Sequence, residues 1–161
     1  MPLPLYMKRY LLVLSLFIIG CSACKKEAKF DAAAQAVKDE AAIQAFLTAN
    51  PSITATKDAS GVYYQIITPG TGTNPTLSST VTVNYVGKLL DGSQFDKGTG
   101  TTYPLSGFIQ GWQKGIPFLK PGGRMLLIVP SALAYGNSSP GAGIPANSVL
   151  VFTIDLLSVT N

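Results

Sequence analysis

The sequence predicts an α+β protein in which a curved antiparallel sheet carries one short helix, with a helical spacer in front of it. Three features of the sequence support this class. Short runs of alternating apolar and polar residues recur after residue 60, as expected for half-buried strands. A single amphipathic segment, 111–119, lies between these runs. An Ala-rich segment with good helix formers, 31–49, precedes all of them.

The N-terminal segment has the composition of an export signal. Lys8 and Arg9 form a basic region, and an apolar run extends from Leu11 to Gly20. This run is too short to span a bilayer as a helix, but it has the length of a signal-peptide core. Residues 18–20, followed by Cys21, resemble the lipobox of bacterial lipoproteins, in which the cysteine thiol accepts a diacylglyceryl group.

The lipobox resemblance implies a membrane-anchored lipoprotein of the bacterial cell envelope, facing the periplasm or the outside. We expect a signal peptide over 1–20, a lipidated N-terminus and helical spacer over 21–59, and one folded domain over 60–161. Several acyl chains would anchor the protein firmly, whereas a single chain is marginal. An uncleaved anchor with an incidental cysteine is the alternative, and Cys24 is the weaker candidate for lipid attachment.

The spacer contains the predicted helix 31–49. Asp31 can cap its start, and Pro51 prevents its continuation. Ile43 and Leu47 share a narrow apolar face on this helix. We favour a helix that lies against the main domain or stands off as a spacer, and we expect a monomer. A dimerisation helix is the alternative.

Strand patterns fill most of the chain after the spacer. The predicted strands are 62–67, 80–90, a return strand through 95–96, 125–129 and 149–159. Asp91 and Gly92 predict a type I′ hairpin turn, which requires positive φ at both central residues. The loop 130–148 is rich in Gly, Pro, Ser and Asn, and loops of this length are usually functional or mobile.

The segment 111–119 is the one predicted helix of the folded domain. Trp112, Ile116 and Leu119 recur at i, i+4 and i+7 and form an apolar face that can cover a sheet. Pro121 and the two glycines after it end the helix. The pattern therefore favours an α+β domain of about 100 residues.

Composition excludes several classes of function. The chain has 161 residues and no His, which excludes His-based triads and His metal sites. Its two cysteines, Cys21 and Cys24, both follow the apolar segment, so neither a disulfide-stapled fold nor a Cys-rich zinc site is expected. Without Lys8 and Arg9 the net charge of +4 falls to +2, too weak and scattered for nucleic-acid binding. We expect no cofactor and no metal.

Six short stretches carry a resemblance to a known family. They are Val81 to Gly87, Asp91 to Asp96, Phe108 to Trp112, Ala134 to Gly136, Gly143 to Pro145 and Leu150 to Phe152. In this order and at these spacings they resemble the FKBP-type peptidyl-prolyl isomerases, over essentially the whole segment from Gly61 to Val159. The resemblance implies a half-barrel sheet wrapped around the short helix, with an active pocket between them.

The resemblance also implies roles for nine residues of this chain. As catalytic residues it implies Trp112 at the floor of the pocket beneath the substrate proline ring, Phe152 as an aromatic wall, Tyr135 with its hydroxyl toward a substrate carbonyl, and Asp96 near the carbonyl of the isomerising bond. As substrate-binding residues it implies Tyr85 and Phe95 as further aromatic walls, Phe108 and Ile109 at the rim with the Ile109 N–H offered to the substrate, and Ile144 on the loop side.

The sequence departs from the family pattern on one side of the pocket. The segment between Asp96 and Tyr103 is shorter than in well-known members, and Thr101 occupies an aromatic position. An arginine that can pair with the pocket aspartate has no clear counterpart, and Lys97 is the nearest cation in the sequence. These differences bear on macrolide affinity and substrate range.

The function implied by the resemblance is cis–trans isomerisation of X–Pro bonds in unfolded or exported proteins. The implied mechanism is non-covalent: an aromatic pocket stabilises a twisted amide. Macrolides are a further implied ligand class. A peptide-binding or chaperone module with little turnover is the alternative.

Overall fold

The computed structural model describes residues 30–141 and 143–161. The signal peptide over 1–20 and lipid attachment at Cys21 or Cys24 lie outside the described residues and stay predictions. Within the described ranges, no helix combines the length and the apolar character needed to cross a membrane.

The described residues form two α-helices and six strands. In chain order they are α1 (Ala32–Ala49), β1 (Thr56–Lys57), β2 (Tyr63–Thr68), β3 (Thr80–Leu89), β4 (Gln94–Pro104), α2 (Gln110–Gly115), β5 (Arg124–Val129) and β6 (Leu150–Thr160). All strands pair antiparallel in one sheet of order β1-β2-β5-β6-β3-β4. Register shifts in β3 interrupt its ladders with both neighbours, as β-bulges that bend a strand do. The predicted α+β class is confirmed.

Helix α2 packs against one face of the sheet and forms the main core with it. Trp112, Ile116 and Leu119 are buried there, as their spacing predicts. Gly111 and Gly115 bring the helix backbone close to β5. A Cβ atom added to either glycine would lie within 2.4 Å of the Val129 or Leu127 side chain. The helix that positions Trp112 is therefore held at short range against the sheet.

The predicted helix 111–119 is longer than the observed one. Helix α2 ends at Gly115, and Ile116–Phe118 continues as a 3₁₀-helix. Pro117 is the physical reason, because it has no N–H to donate to the carbonyl four residues earlier. The Leu119 N–H instead bonds to the Ile116 carbonyl at 2.9 Å. The apolar face predicted for this segment persists through the change of helix type.

Helix α1 covers the opposite face of the sheet. It begins after Asp31, whose carboxylate accepts hydrogen bonds from two N–H groups of the first turn, as the sequence predicts. Ile43 is fully buried in a second apolar cluster with Tyr63, Ile128 and two valines at the start of β6. Of the two arrangements considered for a spacer helix, α1 thus lies against the domain rather than standing off from it.

The hairpin between β3 and β4 is present, but its predicted turn type is wrong. Gly92 has φ +88°, whereas among the described non-glycine residues only Asn147 has positive φ, so Asp91 is not left-handed. The Gly92 N–H bonds to the Leu89 carbonyl at 3.0 Å, and the Asp91 carboxylate accepts the Ser93 N–H at 2.8 Å. One left-handed glycine and a side-chain cap reverse the chain in a three-residue loop, without the two left-handed residues of a type I′ turn.

Candidate active site

Trp112 lies at the centre of an aromatic cluster between α2 and the sheet. Its side chain is 2% exposed. The rings of Tyr85 and Phe152 meet it edge to face, with centroids 5.1 Å and 5.2 Å away, and Phe108 stacks on it at 4.6 Å. These are the separations and orientations that aromatic pairs favour. Strands β3 and β6, helix α2 and the segment before it thus bring four rings into direct contact.

Two further rings extend the cluster at its two ends, one next to Phe152 and one next to Phe108. Phe95 on β4 meets Phe152 edge to face at 5.7 Å, and Tyr103 near the end of β4 meets Phe108 at 5.6 Å. Tyr103 is 52% exposed, which is unusual for a ring that belongs to an aromatic cluster. The rings therefore form a continuous series of contacts from Phe95 through Phe152, Trp112 and Phe108 to Tyr103.

Gly87 makes room for this cluster in the middle of the sheet. It pairs with Asp96 in β4 on one side and with Phe152 in β6 on the other. A Cβ atom at position 87 would lie 2.6 Å from Phe95 Cζ and 3.0 Å from Phe152 Cε1. A side chain at this position would displace both rings, so the glycine sets the shape of the cluster.

Asp96 is connected to the cluster through Tyr85. The Tyr85 hydroxyl donates a 2.7 Å hydrogen bond to Asp96 Oδ2, and the Lys97 N–H donates to Oδ1 at 2.8 Å. Burial, and next the hydrogen bond to Asp96, raise the pKa of Tyr85 to about 12. Lys97 was the nearest cation in the sequence, but within the described residues Asp96 forms no ion pair with it. The partner of this carboxylate is a neutral phenol.

The remaining predicted site residues lie around the cluster. Ile109 is the residue before α2 and packs against the core, and no described group accepts its N–H. Ile144 is buried in the same core as Trp112. Tyr135 is 40% exposed at the loop side, near enough to Tyr85 to contribute to its raised pKa. No hydrogen bond of the Tyr135 hydroxyl occurs within the described residues.

The structure thus brings most of the predicted site residues together, some by direct contact and others only at the edge of the same core. Five rings and Asp96 are linked by direct contacts, Ile109 and Ile144 border the same core, and Tyr135 stands apart at its exposed margin. Tyr103 is not among the site residues predicted from the sequence. Its position two residues after Thr101 was the available signal, because alternate residues of a strand share a face.

The chemistry of these residues suits binding rather than bond cleavage. The cluster offers apolar rings, one carboxyl group, the phenols of Tyr85, Tyr103 and Tyr135, and a backbone N–H without a described acceptor. Such a surface can hold an apolar ring and orient the amide attached to it. An antiparallel sheet bent around a short helix, with this cluster between them, is therefore suited to holding an apolar, amide-bearing segment.

Comparison with known sequences assigns the family. The family model of FKBP-type peptidyl-prolyl cis-trans isomerases matches residues 72–157, which is more than half of the chain. The chain belongs to this family. The matched range contains α2 and all nine predicted site residues, whereas α1 lies outside it.

Curated relatives carry the same family name. The chain is 40% identical over 121 residues to the peptidyl-prolyl cis-trans isomerase Mip of Coxiella burnetii, covering 72% of this chain and 53% of that protein. It is 43% identical over 105 residues to FkpA of Escherichia coli K12, covering 63% and 38%. It is 39% identical over 142 residues to the outer membrane protein MIP of Legionella longbeachae, covering 84% and 59%. The chain thus spans about half the length of these relatives.

Solved structures agree with the family assignment. The crystal structure of FkpA from Escherichia coli matches with a TM-score of 0.69 at 37% identity, covering 78% of this chain and 61% of that one. A peptidyl-prolyl cis-trans isomerase from Pseudomonas syringae pv. tomato matches with a TM-score of 0.66 at 34% identity, covering 76% and 96%. The half-barrel arrangement implied by the sequence resemblance is confirmed at the level of the fold.

Proposed function

We propose that this chain is a peptidyl-prolyl cis-trans isomerase that rotates X–Pro bonds in unfolded or exported proteins. Rotation of a peptide bond faces a barrier of roughly 18–20 kcal/mol, because amide resonance is lost on the way. At X–Pro bonds the uncatalysed step is slow enough to limit folding. No covalent bond is made or broken, so catalysis requires a site that binds the twisted amide more tightly than the planar one.

The aromatic rings packed around Trp112 are the observation that supports this proposal. The rings of Tyr85, Phe108 and Phe152 lie 4.6–5.2 Å from it and form an apolar floor of the kind that suits a proline ring. In the twisted state the carbonyl loses its charge-separated character, so apolar surroundings favour that state over the planar one. A thousandfold acceleration requires only about 4 kcal/mol of this preference.

The polar groups at the margin have complementary roles in the proposal. Asp96 faces the carbonyl of the isomerising bond, with its orientation fixed by the Tyr85 hydroxyl. The Tyr135 hydroxyl and the Ile109 N–H, which lack partners among the described residues, donate to substrate carbonyls. Tyr85, Phe95 and Phe152 form the aromatic walls of the proposed site. Phe108 and Ile109 line its rim, and Ile144 closes it on the loop side.

We further infer that Tyr103 contacts the substrate residue next to the proline. Its ring contacts Phe108 and is still half exposed, so part of the ring is available to an apolar or aromatic side chain. It lies on the side of the site where Thr101 replaces an aromatic residue of the family pattern. Tyr103 thereby supplies aromatic surface on that side.

A protease-coupled isomerisation assay with Xaa-Pro peptides tests the activity directly. The chain from Lys25 onward retains every described residue and omits the predicted signal. We expect it to accelerate isomerisation, and we expect Asp96→Val to lower kcat/KM about tenfold, equivalent to about 1.4 kcal/mol, without loss of fold. Unchanged turnover in Asp96→Val would reduce Asp96 to a residue that orients Tyr85 and the β4 backbone.

A peptide-binding module with little turnover is the second candidate. It is favoured by the pairing of Asp96 with a neutral phenol in place of a cation and by the short segment after Asp96. Saturable binding of a prolyl peptide without acceleration of isomerisation would support it over the enzyme. The same binding assay covers macrolides, which we propose as a further ligand class for the cleft.

We propose a lipid-anchored location in the bacterial cell envelope, with Cys21 as the lipidated residue. The lipobox-like sequence supports it, and one relative is named an outer membrane protein. Cys21→Ser should abolish labelling by a radioactive fatty acid. Labelling that survives in Cys21→Ser but disappears in Cys24→Ser would assign the lipid to the other cysteine.

We propose that the chain is a monomer. The apolar face of α1 is used against its own sheet, where Ile43 is fully buried, which leaves less apolar surface for a second copy. Sedimentation of the soluble chain at increasing concentration tests this. A mass of twice the chain would support the dimerisation alternative.

A further inference from the structure

Asp39 is a buried carboxylate on α1, far from the aromatic site in sequence. It is 3% exposed. Its Oδ2 accepts the Ser131 N–H at 2.8 Å and the Ser131 hydroxyl at 2.7 Å, while Oδ1 accepts the Gln35 side-chain amide at 2.7 Å. A buried charge is costly unless it is fully hydrogen-bonded. The three donors meet that requirement without a cation.

Ser131 is the first residue of the segment that leads to Tyr135. It begins the 3₁₀-helix Ser131–Leu133, and Asp39 supplies the side-chain oxygen that caps its first N–H. The Ser131 carbonyl accepts the Ala134 N–H at 3.0 Å and the Gly136 N–H at 2.8 Å. Tyr135 therefore lies between two residues whose N–H groups are both bonded to Ser131.

The same hydrogen-bond chain continues to the far side of the loop. The Gly136 carbonyl accepts the Asn147 N–H at 2.7 Å, and Asn147 is the described non-glycine residue with positive φ. Ser131, Gly136 and Asn147 thus connect both ends of the loop 130–148. Asp39 is the group from outside the loop that holds Ser131.

We infer that Asp39 is a positioning residue for Tyr135, so that a helix outside the matched family range 72–157 completes the active-site loop. The inference rests on the proposed isomerase function, in which the Tyr135 hydroxyl contacts the substrate. Loss of the Asp39 carboxylate frees Ser131, loosens the turn that presents Tyr135, and lowers the fraction of molecules with the hydroxyl in place.

Glu40, the next residue on α1, provides a matched control. It also joins the helix to the sheet, by accepting the Tyr63 hydroxyl at 2.5 Å and pairing with Lys57 at 2.9 Å. Its polar contacts outside α1 are with β1 and β2, and none of its hydrogen bonds involves a described residue of the loop 130–148. A general weakening of helix docking affects Glu40 and Asp39 variants alike, whereas positioning of Tyr135 depends on Asp39 alone.

The experiment compares Asp39→Ala, Asp39→Asn and Glu40→Ala in the full chain, each with Tyr135 and with Tyr135→Phe. We expect Asp39→Ala to lower kcat/KM about five- to tenfold, a usual size for coupling between sites. Asp39→Asn keeps one acceptor oxygen, so its kcat/KM should lie between those of the parent and Asp39→Ala. Glu40→Ala should match the parent, and in the Tyr135→Phe background Asp39→Ala should cause little further loss, because the hydroxyl it positions is gone.

Amide hydrogen exchange gives a readout that does not depend on turnover. The Gly136 and Asn147 amides should exchange faster in Asp39→Ala than in Glu40→Ala. An inactive parent chain counts against the isomerase proposal, while the exchange rates still test the contact. The inference is overturned if kcat/KM falls equally in Asp39→Ala and Glu40→Ala. It is also overturned if Asp39→Ala lowers kcat/KM in the Tyr135→Phe background as much as it does in the parent. If Asp39→Ala does not fold, Ser131→Ala removes one donor and is measured in the same way.

Discussion

The Tyr85 hydroxyl lies 2.7 Å from Asp96 Oδ2, across the hairpin formed by β3 and β4. The contact joins the aromatic cluster to the carboxylate at its margin, since the Tyr85 ring meets Trp112 edge to face. Each oxygen of the Asp96 side chain thus accepts a hydrogen bond from one charge-neutral donor. A substrate amide bound over Trp112 would meet a carboxyl group that these two donors orient and that pairs with no cation among the described residues.

Removal of this hydroxyl should impair catalysis more than folding. In Tyr85→Phe the ring contact with Trp112 is retained, while Asp96 loses the donor that orients it. Hydrogen bonds to charged groups contribute about 1.5–3 kcal/mol, so we expect kcat/KM to fall roughly tenfold. Tyr64→Phe is the matched control, because Tyr64 stacks on Phe118 away from the aromatic site. Equal effects of the two substitutions would contradict a special role for the Tyr85–Asp96 contact.

The raised pKa of Tyr85 predicts a stability difference at alkaline pH. Burial first, and then the hydrogen bond to Asp96, raise its pKa to about 12 in the folded chain, against about 10 when unfolded. The folded state therefore favours the neutral phenol. The stabilisation is fully present below pH 10 and is lost as pH rises from about 10 through about 12.

Two measurements check this alkaline behaviour. The difference in unfolding free energy between the parent and Tyr85→Phe should be constant up to about pH 10 and then decrease. The tyrosinate absorbance missing from Tyr85→Phe should titrate near pH 12. If the tyrosinate absorbance that Tyr85→Phe lacks instead titrates near the ordinary tyrosine pKa, the Tyr85 hydroxyl is neither buried nor hydrogen-bonded in solution.

The exposed ring of Tyr103 predicts a preference for aromatic or large apolar residues beside the proline. Tyr103→Ala should lower kcat/KM for peptides with such a neighbour about three- to tenfold, while peptides with Gly or Ala there change little, since aromatic pairs contribute about 0.5–1.5 kcal/mol. Leu77→Ala is the control, because Leu77 is similarly exposed but belongs to neither apolar cluster. If kcat/KM of Tyr103→Ala falls equally for all peptides, Tyr103 instead acts by holding Phe108 in place.

Patterns of neighbouring residues in the sequence predicted those parts of the structure that depend on contacts within one segment. The i, i+4, i+7 spacing of Trp112, Ile116 and Leu119 predicted a buried face that survives although Pro117 shortens the α-helix. The turn type at Asp91 could not be predicted from the dipeptide alone. Its carboxylate caps Ser93, and that local bond permits another loop conformation.

Contacts between distant segments could not be predicted in this way. Asp39 and Ser131 are 92 residues apart, and neither belongs to a recognisable motif. On a helix with a narrow apolar face, the sequence pattern predicts that a polar residue such as Asp39 is exposed to solvent. Its burial depends on the sheet and loop that pack against the helix. The aromatic cluster was accessible only through the family resemblance, because alternation alone does not distinguish a site ring from a core ring.

The burial of Ile43 predicts that α1 unfolds together with the domain. Ile43→Ala should lower the free energy of unfolding by about 2–4 kcal/mol, as for other fully buried isoleucines. Val37→Ala on the same helix is the control. Val37 is 71% exposed, so its substitution should change stability by no more than about 0.5 kcal/mol. Denaturant unfolding followed by circular dichroism measures both. Similar values for the two variants would show that α1 is not docked in solution.

Trp112 provides a direct test of the proposed pocket floor. It is the single tryptophan of the chain, so intrinsic tryptophan emission reports on one position. A prolyl or pipecolyl ligand seated on the indole changes its surroundings and should change the emission saturably. The same peptide with Gly in place of Pro is the control and should leave the emission unchanged.

Substitution of the indole separates binding from folding. Trp112→Phe retains an aromatic surface against Tyr85, Phe108 and Phe152 and removes an indole N–H that is buried without a partner among the described residues. No hydrogen bond is lost, so the cost in stability is that of a smaller ring, about 1–3 kcal/mol. We expect ligand binding to weaken about tenfold, because the floor beneath the proline ring is narrower. If saturating ligand inhibits isomerisation but leaves the Trp112 emission unchanged, the proline ring binds elsewhere. If ligand changes the emission but the chain accelerates no isomerisation, the binding module is the correct function for this cleft.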